Sequence, residues 1–260
     1  MNVFHAVILG VVEGITEFLP ISSTFHLIFT SKLLGVPQND FTKLFEVVIQ
    51  AGAILSVTLL YITDVVKSKE LMKKVITAFL PTAFAGYILY KFIKNVLFES
   101  QIFMIAVFIA LGFLFIIIER YINKNKIELK RELNSLNYQE ALTVGLVQSA
   151  AIMPGVSRAG AVILAMILLR FKRSESAYFS FLLAIPTILA AAFYDLYKMR
   201  ELIFTVSVNW NLLLVGFITA FISSYFIVKW LIDYLKKNSL AFFGYYRLII
   251  AIILLLIFFR

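Results

Sequence analysis

Residues 12–26 read VEGITEFLPISSTFH and lie between two apolar runs, FHAVILGV at residues 4–11 and LIFTSKLLG at residues 27–35. Glu13, Glu17 and His26 therefore sit in a segment that otherwise has the composition of a membrane helix. Pro20 removes a helical N–H group and clashes with the preceding turn. The stretch thus predicts two short half-helices, neither of which reaches the roughly 20 residues needed to cross a bilayer.

The composition of the chain supports a membrane setting. Of its 260 residues, 62% are hydrophobic and 15% are charged, and the mean hydropathy is +0.94. A soluble domain has about 45–50% apolar and about 25% charged residues. We therefore expect an all-α, polytopic helical membrane protein. The net charge of +9 is attributed to basic loops that set topology and touch anionic lipid, not to nucleic acid. Cysteine is absent, which excludes disulfides and thiolate chemistry.

A second interrupted segment covers residues 138–169 and breaks at the sequence PGVS, residues 154–157. If both interrupted segments are hairpins that return to their side of entry, the basic loops collect on one side, which is cytoplasmic by the positive-inside rule. Both chain ends then lie outside, and the hairpins enter from opposite sides. The predicted spanning helices are Phe41–Thr63, Val75–Ile93, Ile102–Ile118, Ser176–Leu196, Trp210–Ile232 and Leu240–Phe259.

The two interrupted segments resemble each other. GVVEGITEFLPISST from Gly10 aligns with GLVQSAAIMPGVSRAG from Gly145, which matches Glu13 with Gln148. We predict one membrane domain made of two inverted-topology repeats, residues 1–119 and 138–260, each a re-entrant or broken hairpin followed by three spans. Residues 120–137 form a solvated cytoplasmic linker, with an interfacial helix as an alternative. Such repeats place a polar site near the midplane, at the repeat interface.

Two carboxylates mark the first break. Glu13 and Glu17 are four residues apart and share a helix face, where their charges repel and lipid penalises each. One interpretation is that they are protonated and hydrogen-bonded inside the bundle. The other is that they bind a divalent cation, Mg²⁺ or Ca²⁺, since both ions prefer oxygen ligands. Glu46, in the next apolar run, either lines the same site or has a packing role.

A hydroxyl-rich run follows Pro20. Ser22 or Ser23 can cap the second half-helix, whose free N–H groups attract phosphate. Ser23 and His26 are one turn apart, the minimal arrangement of an activated nucleophile. The alternative is a capping serine beside a buried, hydrogen-bonded histidine.

Arg158 marks the second break. A cation near the midplane costs roughly 2.5–3.5 kcal/mol on insertion scales, and the planar guanidinium suits phosphate oxygens. Gly155 allows close backbone approach, and Ser157 can cap the following helix. The alternative is an ion pair between Arg158 and Glu13 or Glu17, which is compatible with phosphate binding if the pair forms only without substrate.

The motifs GVVEGITEFLPISSTFH and PGVSRAG resemble the two signature motifs of the bacterial undecaprenyl-diphosphatase family, which is linked with bacitracin resistance, and the resemblance extends over essentially the whole chain. It implies hydrolysis of undecaprenyl diphosphate to undecaprenyl phosphate and inorganic phosphate in the bacterial inner membrane, which recycles the lipid carrier for peptidoglycan. The sequence departs from the family at Phe25, where glycine is usual, and at Ala159, where serine is usual.

These patterns together predict a phosphohydrolase. Ser23 would attack the terminal phosphorus with His26 as general base and then acid, or water oriented by His26 or Glu17 would attack directly. The first hairpin opens outward, so we expect the reaction to face the extracytoplasmic side. The predicted catalytic residues are Glu13, Glu17, Ser23, His26 and Arg158, the predicted metal ligands are Glu13 and Glu17, and the predicted substrate contacts are Ser22, Thr24, Glu46, Gln148, Gly155 and Ser157.

The expected partners are an isoprenoid lipid diphosphate and membrane lipids. A homodimer is one option for the assembly. Because inverted repeats with broken helices are also transporter architecture, the alternative function is a lipid-carrier flippase or an ion-coupled transporter that uses the same cavity.

Overall fold

The computed structural model describes residues 1–92, 100–200 and 208–258. This part of the chain forms ten α-helices, and its only β-type pairing is one bridge between Arg131 and Phe171. The helices are α1 (Val3–Thr16), α2 (Ser23–Leu33), α3 (Asp40–Lys67), α4 (Lys69–Phe92), α5 (Gln101–Asn123), α6 (Tyr138–Ser149), α7 (Arg158–Leu168), α8 (Arg173–Lys198), α9 (Trp210–Lys237) and α10 (Ala241–Phe258).

Five helices of the described residues are long and apolar enough to cross a membrane, namely α3, α5, α8, α9 and α10. Many of their outward side chains are large and apolar, such as Leu59, Phe226 and Leu256. The chain is therefore a polytopic helical membrane protein, as the composition predicts. The predicted span Val75–Ile93 lies in α4 except for its last residue, Ile93, which is outside the described residues. Phe259, the last residue of the predicted span Leu240–Phe259, is also outside them.

Both predicted breaks are confirmed. The first separates α1, which ends at Thr16, from α2, which begins at Ser23. In the second, α6 ends at Ser149, a 3₁₀ turn follows, and α7 begins at Arg158. Within each pair the two half-helices pack against each other, so each interrupted segment is a helical hairpin.

The two hairpins share unusual backbone angles directly before and shortly after their second half-helices. Ser22 and Ser157, which directly precede α2 and α7, have φ angles of 67° and 68°. Gly35 and Arg170, two residues beyond α2 and α7, have φ angles of 65° and 70°. Positive φ is uncommon outside glycine, and both pairs have the same separation along the chain. The matched angles support the internal repeat that the sequence predicts.

Each hairpin is packed into the opposite half of the chain. Helix α1 crosses α9, and α6 crosses α4. A Cβ atom on Gly10 would lie 2.8 Å from the Gly216 carbonyl oxygen, and one on Gly145 would lie 2.1 Å from the Ala78 carbonyl oxygen. Glycine is thus required at both crossings. This exchange of hairpins brings the two breaks together between the halves.

The segment between the halves is mostly exposed, but it starts later along the chain than the predicted linker. Helix α5 continues to Asn123, and Glu119 is buried, where it forms an ion pair of 2.5 Å with Arg173. Residues 124–137 contain a short 3₁₀ turn at Leu133–Ser135 instead of an interfacial helix. Arg131 ties this segment to the start of α6 through Glu140, at 2.6 Å. The linker is therefore shorter than predicted and is bound to the bundle.

Candidate active site

Ser23 and Glu17 form the centre of the site at the first break. Ser23 is the first residue of α2, and its hydroxyl donates a hydrogen bond to Glu17 Oε2 across the break. Both side chains are buried. A carboxylate in contact with a serine hydroxyl is placed to accept its proton, which is the requirement for an activated nucleophile.

Arg158 reaches the same place from the second break. It is the first residue of α7, and its Nη2 atom lies 3.5 Å from Glu17 Oε1, while its Nη1 atom donates to the Ser180 carbonyl oxygen at 3.0 Å. Within the described part of the chain, its Nε has no hydrogen-bond partner. The ion pair with Glu17 exists, as the structural interpretation predicts, but it is long. The guanidinium therefore retains donor capacity for an anion.

Glu13 lies one turn before Glu17 and is only 1% exposed. Neither of its carboxylate oxygens accepts from a donor group among the described residues, and a hydrogen bond with the neighbouring Glu17 carboxyl requires a shared proton. The charges that act on it are those of Glu17, Glu46 and Arg158. A buried carboxylate without hydrogen bonds is costly, so Glu13 needs a proton or a cation. Glu46 also has a buried oxygen, Oε1, without a partner in this part of the chain.

These acidic groups determine which ligands the site offers to a metal ion. In residues 1–92, 100–200 and 208–258, no group of three or more His, Cys, Asp or Glu side chains is placed to hold an ion. The chain therefore offers two neighbouring carboxylates, Glu13 and Glu17. Mg²⁺ is commonly held by one or two carboxylates together with water and substrate phosphate, and the unpartnered oxygens of Glu13 fit that donor set.

His26 is engaged away from Ser23. Its Nδ1 lies 2.8 Å from the Ser22 carbonyl oxygen, and its Nε2 lies 2.9 Å from the hydroxyl of Tyr246 in α10. Because a carbonyl only accepts, we assign the proton to Nδ1, and Nε2 then accepts from Tyr246. The predicted contact between Ser23 and His26 is absent from these described residues. The hydrogen-bonded histidine of the alternative interpretation is the arrangement found.

Several other predicted residues shape the two breaks. The cap that Ser157 was expected to form is confirmed, since its Oγ accepts from the Gly160 N–H at 3.1 Å, and its hydroxyl also approaches the Leu19 carbonyl oxygen at 3.4 Å. Ser22 occupies the corresponding position before α2 but makes no side-chain cap. Thr24 lies half-buried in the first turn of α2.

Gly155 is fixed by its surroundings. Its φ angle is 93°, and a Cβ atom there would lie 2.7 Å from the Met104 carbonyl oxygen. A side chain would therefore meet both backbone strain and a clash, so the close approach that the sequence predicts at this glycine is confirmed.

Gln148, which the repeat aligns with Glu13, belongs to a separate polar group. Its Nε2 donates to Thr82 Oγ1 at 2.9 Å and to Thr187 Oγ1 at 3.3 Å, in α4 and α8. In the described part of the chain, Gln148 therefore makes no hydrogen bond to Ser23 or Arg158. The reason lies in packing, because α6 crosses α4 while α1 crosses α9.

Phe25 and Ala159, the two departures from the family pattern, are both fully buried. The Phe25 ring stacks on Phe108 of α5, with centroids 3.8 Å apart and planes 2° from parallel, and meets His26 edge-on at 5.7 Å. Phe25 therefore fills space between α2 and α5.

Arg247 is the residue that the sequence reasoning missed. It lies in α10, is fully buried, and donates to the carbonyl oxygens of Pro20, Gly155 and Val156 at 2.9–3.2 Å. A signal was available, because it is the only charged residue in the 18-residue apolar helix α10. Ionisable residues inside membrane helices are functional candidates by default.

Known proteins are similar to this sequence over nearly its full length. The family described as "Bacitracin resistance protein BacA" matches residues 6–253. The chain is 43% identical over 256 residues to an undecaprenyl-diphosphatase of Aquifex aeolicus, with 97% of each chain covered. It is 46% identical over 253 residues to one of Sulfurihydrogenibium sp., with 97% of this chain and 98% of the relative covered. The chain belongs to the bacitracin resistance protein BacA family.

Proposed function

We propose that this protein hydrolyses undecaprenyl diphosphate to undecaprenyl phosphate and inorganic phosphate, and so recycles the lipid carrier of peptidoglycan synthesis. The observation that carries the proposal is the contact of the Ser23 hydroxyl with Glu17, faced by Arg158 from the other break. Full-length relatives named undecaprenyl-diphosphatase support the substrate and the reaction.

Substrate binding is assigned to the second break. Arg158 presents a planar guanidinium with a free Nε, and such groups bind phosphate oxygens in pairs. The first turns of α2 and α7 add backbone N–H groups at helix N-termini, which favour anions. On binding, the phosphate replaces Glu17 as the partner of Arg158. This exchange leaves the Glu17 carboxylate available to Ser23.

The first chemical step is assigned to Ser23. Its Oγ attacks the terminal phosphorus, its proton passes to Glu17, and the bond from phosphorus to the bridging oxygen breaks to release undecaprenyl phosphate. Water then attacks the phosphorus of phosphorylated Ser23, the bond from phosphorus to Oγ breaks, and Glu17 returns its proton to Oγ. Inorganic phosphate leaves and keeps the oxygen and both protons of the water. Glu17 takes the role of base because it contacts the hydroxyl, while His26 is occupied by Tyr246.

Direct attack by water is the competing route. In that case Glu17 orients the water, and Ser23 only binds the phosphate. A covalent phosphate on Ser23, trapped by acid quench and located by mass spectrometry, separates the two routes.

Glu13 and Glu17 are the residues that would hold Mg²⁺ or Ca²⁺ together with the substrate diphosphate. When bound, such an ion neutralises charge that develops on the phosphate oxygens. Without it, Glu13 requires a proton. Glu46 lies close enough for its charge to act on Glu13 and is proposed as a further contact of the ion or its waters.

The site is proposed to open to the extracytoplasmic side of the inner membrane, with the isoprenoid tail between the spanning helices. The sequence supports this orientation through the concentration of basic residues in the loops opposite. A reporter fused at Lys67–Lys74 tests it, since an external reporter there would invert the topology.

The direct test is phosphate release by the purified protein from C15 or C55 isoprenyl diphosphate, with and without Mg²⁺ or Ca²⁺. We expect release by the wild type and its loss in Glu17→Ala and Arg158→Ala, with folding checked by thermal unfolding. Full activity in both variants would contradict the site. No phosphate release under any metal condition would favour the alternative function, a flippase or transporter. The names of the relatives do not favour that alternative.

A further inference from the structure

Arg247 has no carboxylate partner among the described residues; its hydrogen bonds go to carbonyl oxygens. Nε donates to Pro20 O at 2.9 Å, Nη1 to Gly155 O at 3.2 Å and Phe108 O at 3.4 Å, and Nη2 to Val156 O at 3.2 Å. Its guanidinium carbon also lies 4.6 Å from the ring centroid of Phe108. A fully buried cation in a membrane helix is expensive, so this arrangement requires a function that an apolar residue at the same position would not perform.

Three of the four acceptors of Arg247 come from the two breaks. Pro20 belongs to the first break, between Glu17 and Ser23, and Gly155 and Val156 belong to the second, directly before Arg158. Peptide carbonyls at such breaks have lost their helical partners and need donors. One rigid guanidinium satisfies three of them at once and ties the two chain segments to each other and to α10.

We propose that Arg247 is a positioning residue that clamps the two breaks in register, so that Ser23 and Glu17 face Arg158 across the repeat interface. The direct contacts between the breaks are otherwise weak. Arg158 meets Glu17 at 3.5 Å, and Ser157 meets the Leu19 carbonyl at 3.4 Å. The contact between Arg158 and Glu17 is lost if phosphate takes the place of Glu17 at Arg158, whereas the bonds of Arg247 do not involve the reacting groups.

This inference rests on the proposed function for its catalytic consequence but not for its structural one. A shift of about 1 Å between reacting groups costs about 100-fold in rate. Loss of the clamp should therefore lower kcat about 100-fold and leave KM within about threefold, because Arg158 and the helix N-termini remain.

The structural consequence is measured by hydrogen–deuterium exchange of the purified protein without substrate. In Arg247→Met, we expect exchange to rise about tenfold at both breaks together, at amides such as Ile21 and Val156. Arg247→Lys keeps the charge but cannot reach both breaks with a planar fork, so it should give the same loosening and should not restore kcat. It also serves as the test variant if Arg247→Met does not fold.

Arg173→Met is the matched control. Arg173 is a partly buried arginine, whereas Arg247 is fully buried, and it binds Glu119 away from the breaks. Its loss should therefore lower thermal stability without selective exchange at residues 17–23 and 153–158.

Unchanged exchange at either break in Arg247→Met or Arg247→Lys would overturn the clamp, and so would full recovery of kcat by lysine. A wild type that releases no phosphate would contradict the proposed function, while the exchange data would still decide the clamp.

Discussion

The hydroxyl of Ser23 donates its hydrogen bond to the carboxylate of Glu17, six residues earlier and on the other side of the first break. On a continuous helix, residues that far apart point to different faces. The break at Pro20 folds the chain back so that the end of one half-helix meets the start of the next. The same break that prevents this segment from spanning the membrane therefore creates the pair of a nucleophile and a base.

Glu17→Gln should lower kcat by about 10²–10⁴-fold, the usual contribution of a positioned base. Ser23→Ala should lower it at least as much under the covalent route. Because the two residues act as a unit, the double variant should be little worse than the more damaging single one. Steady-state phosphate release from C15 isoprenyl diphosphate measures all three.

The contrast with His26 makes this prediction specific. His26→Ala should cost much less than Ser23→Ala, since the structure bonds His26 to Ser22 and Tyr246 and not to Ser23. Tyr246→Phe is the control, because it releases His26 Nε2 and keeps the ring. Equal losses of kcat in His26→Ala and Ser23→Ala would indicate that His26 is the base.

Arg158→Lys should reduce kcat/KM by about 10²–10³-fold, because lysine keeps the charge but loses the fork that holds two phosphate oxygens. Thermal unfolding controls for structure. Lysine can still pair with Glu17, so the unfolding midpoint should change little, whereas Arg158→Met leaves Glu17 buried without its cation and should lower both activity and stability. Wild-type kcat/KM in Arg158→Lys would show that charge alone suffices.

The sequence predicts both breaks and most of the polar residues around them because these depend on local rules. Pro20 and Pro154 lie in the two breaks, whereas Pro81 and Pro186 lie inside α4 and α8, so the proline predicts a break only together with the polar residues that follow it. Ser157 needs only its own neighbours to form a cap. The hydrogen bonds of His26 could not be predicted this way, since Tyr246 approaches it from 220 residues further along the chain. The contacts of Arg247 could not be predicted for a similar reason, because its acceptors lie on three distant segments.

The internal repeat predicts the two hairpins, but it does not predict the contacts of Gln148. Alignment with Glu13 suggested a shared role, yet Gln148 bonds to Thr82 and Thr187. The repeat relates backbone paths, as the φ angles of Ser22 and Ser157 show. It does not fix which side chains the neighbouring helices contribute, and these differ between the two halves.

Phe25→Gly, which introduces the residue usual in the family, should destabilise the protein. Phe25 is fully buried and stacks on Phe108, and removal of a buried phenylalanine side chain costs about 3–5 kcal/mol. Phe25→Leu, which keeps most of the volume, should lower the unfolding midpoint much less. Thermal unfolding in detergent measures both. An unchanged midpoint in Phe25→Gly would mean that neighbouring side chains close the space.

Acid should weaken the ion pair between Arg131 and Glu140, which links residues 124–137 to α6. Both residues lie outside the five spanning helices. Hydrogen bonds from Arg131 hold the pKa of the Glu140 carboxyl below its usual 4.5. Because the folded-state pKa is below the unfolded one, the pair stabilises the fold above pH 4.5, and that contribution is lost as pH falls through the folded-state pKa.

The measurement is the free energy of unfolding of wild type and Arg131→Met as a function of pH. Their difference should be constant between about pH 7 and pH 5 and should shrink below about pH 4. It should not reach zero, since Arg131 also donates to the Leu169 carbonyl and packs over Phe171. Glu140→Gln should remove the pH-dependent part alone, because the amide oxygen can still accept from the Asn137 N–H. A difference that grows with acidity would show that Glu140 is not held as a carboxylate by Arg131.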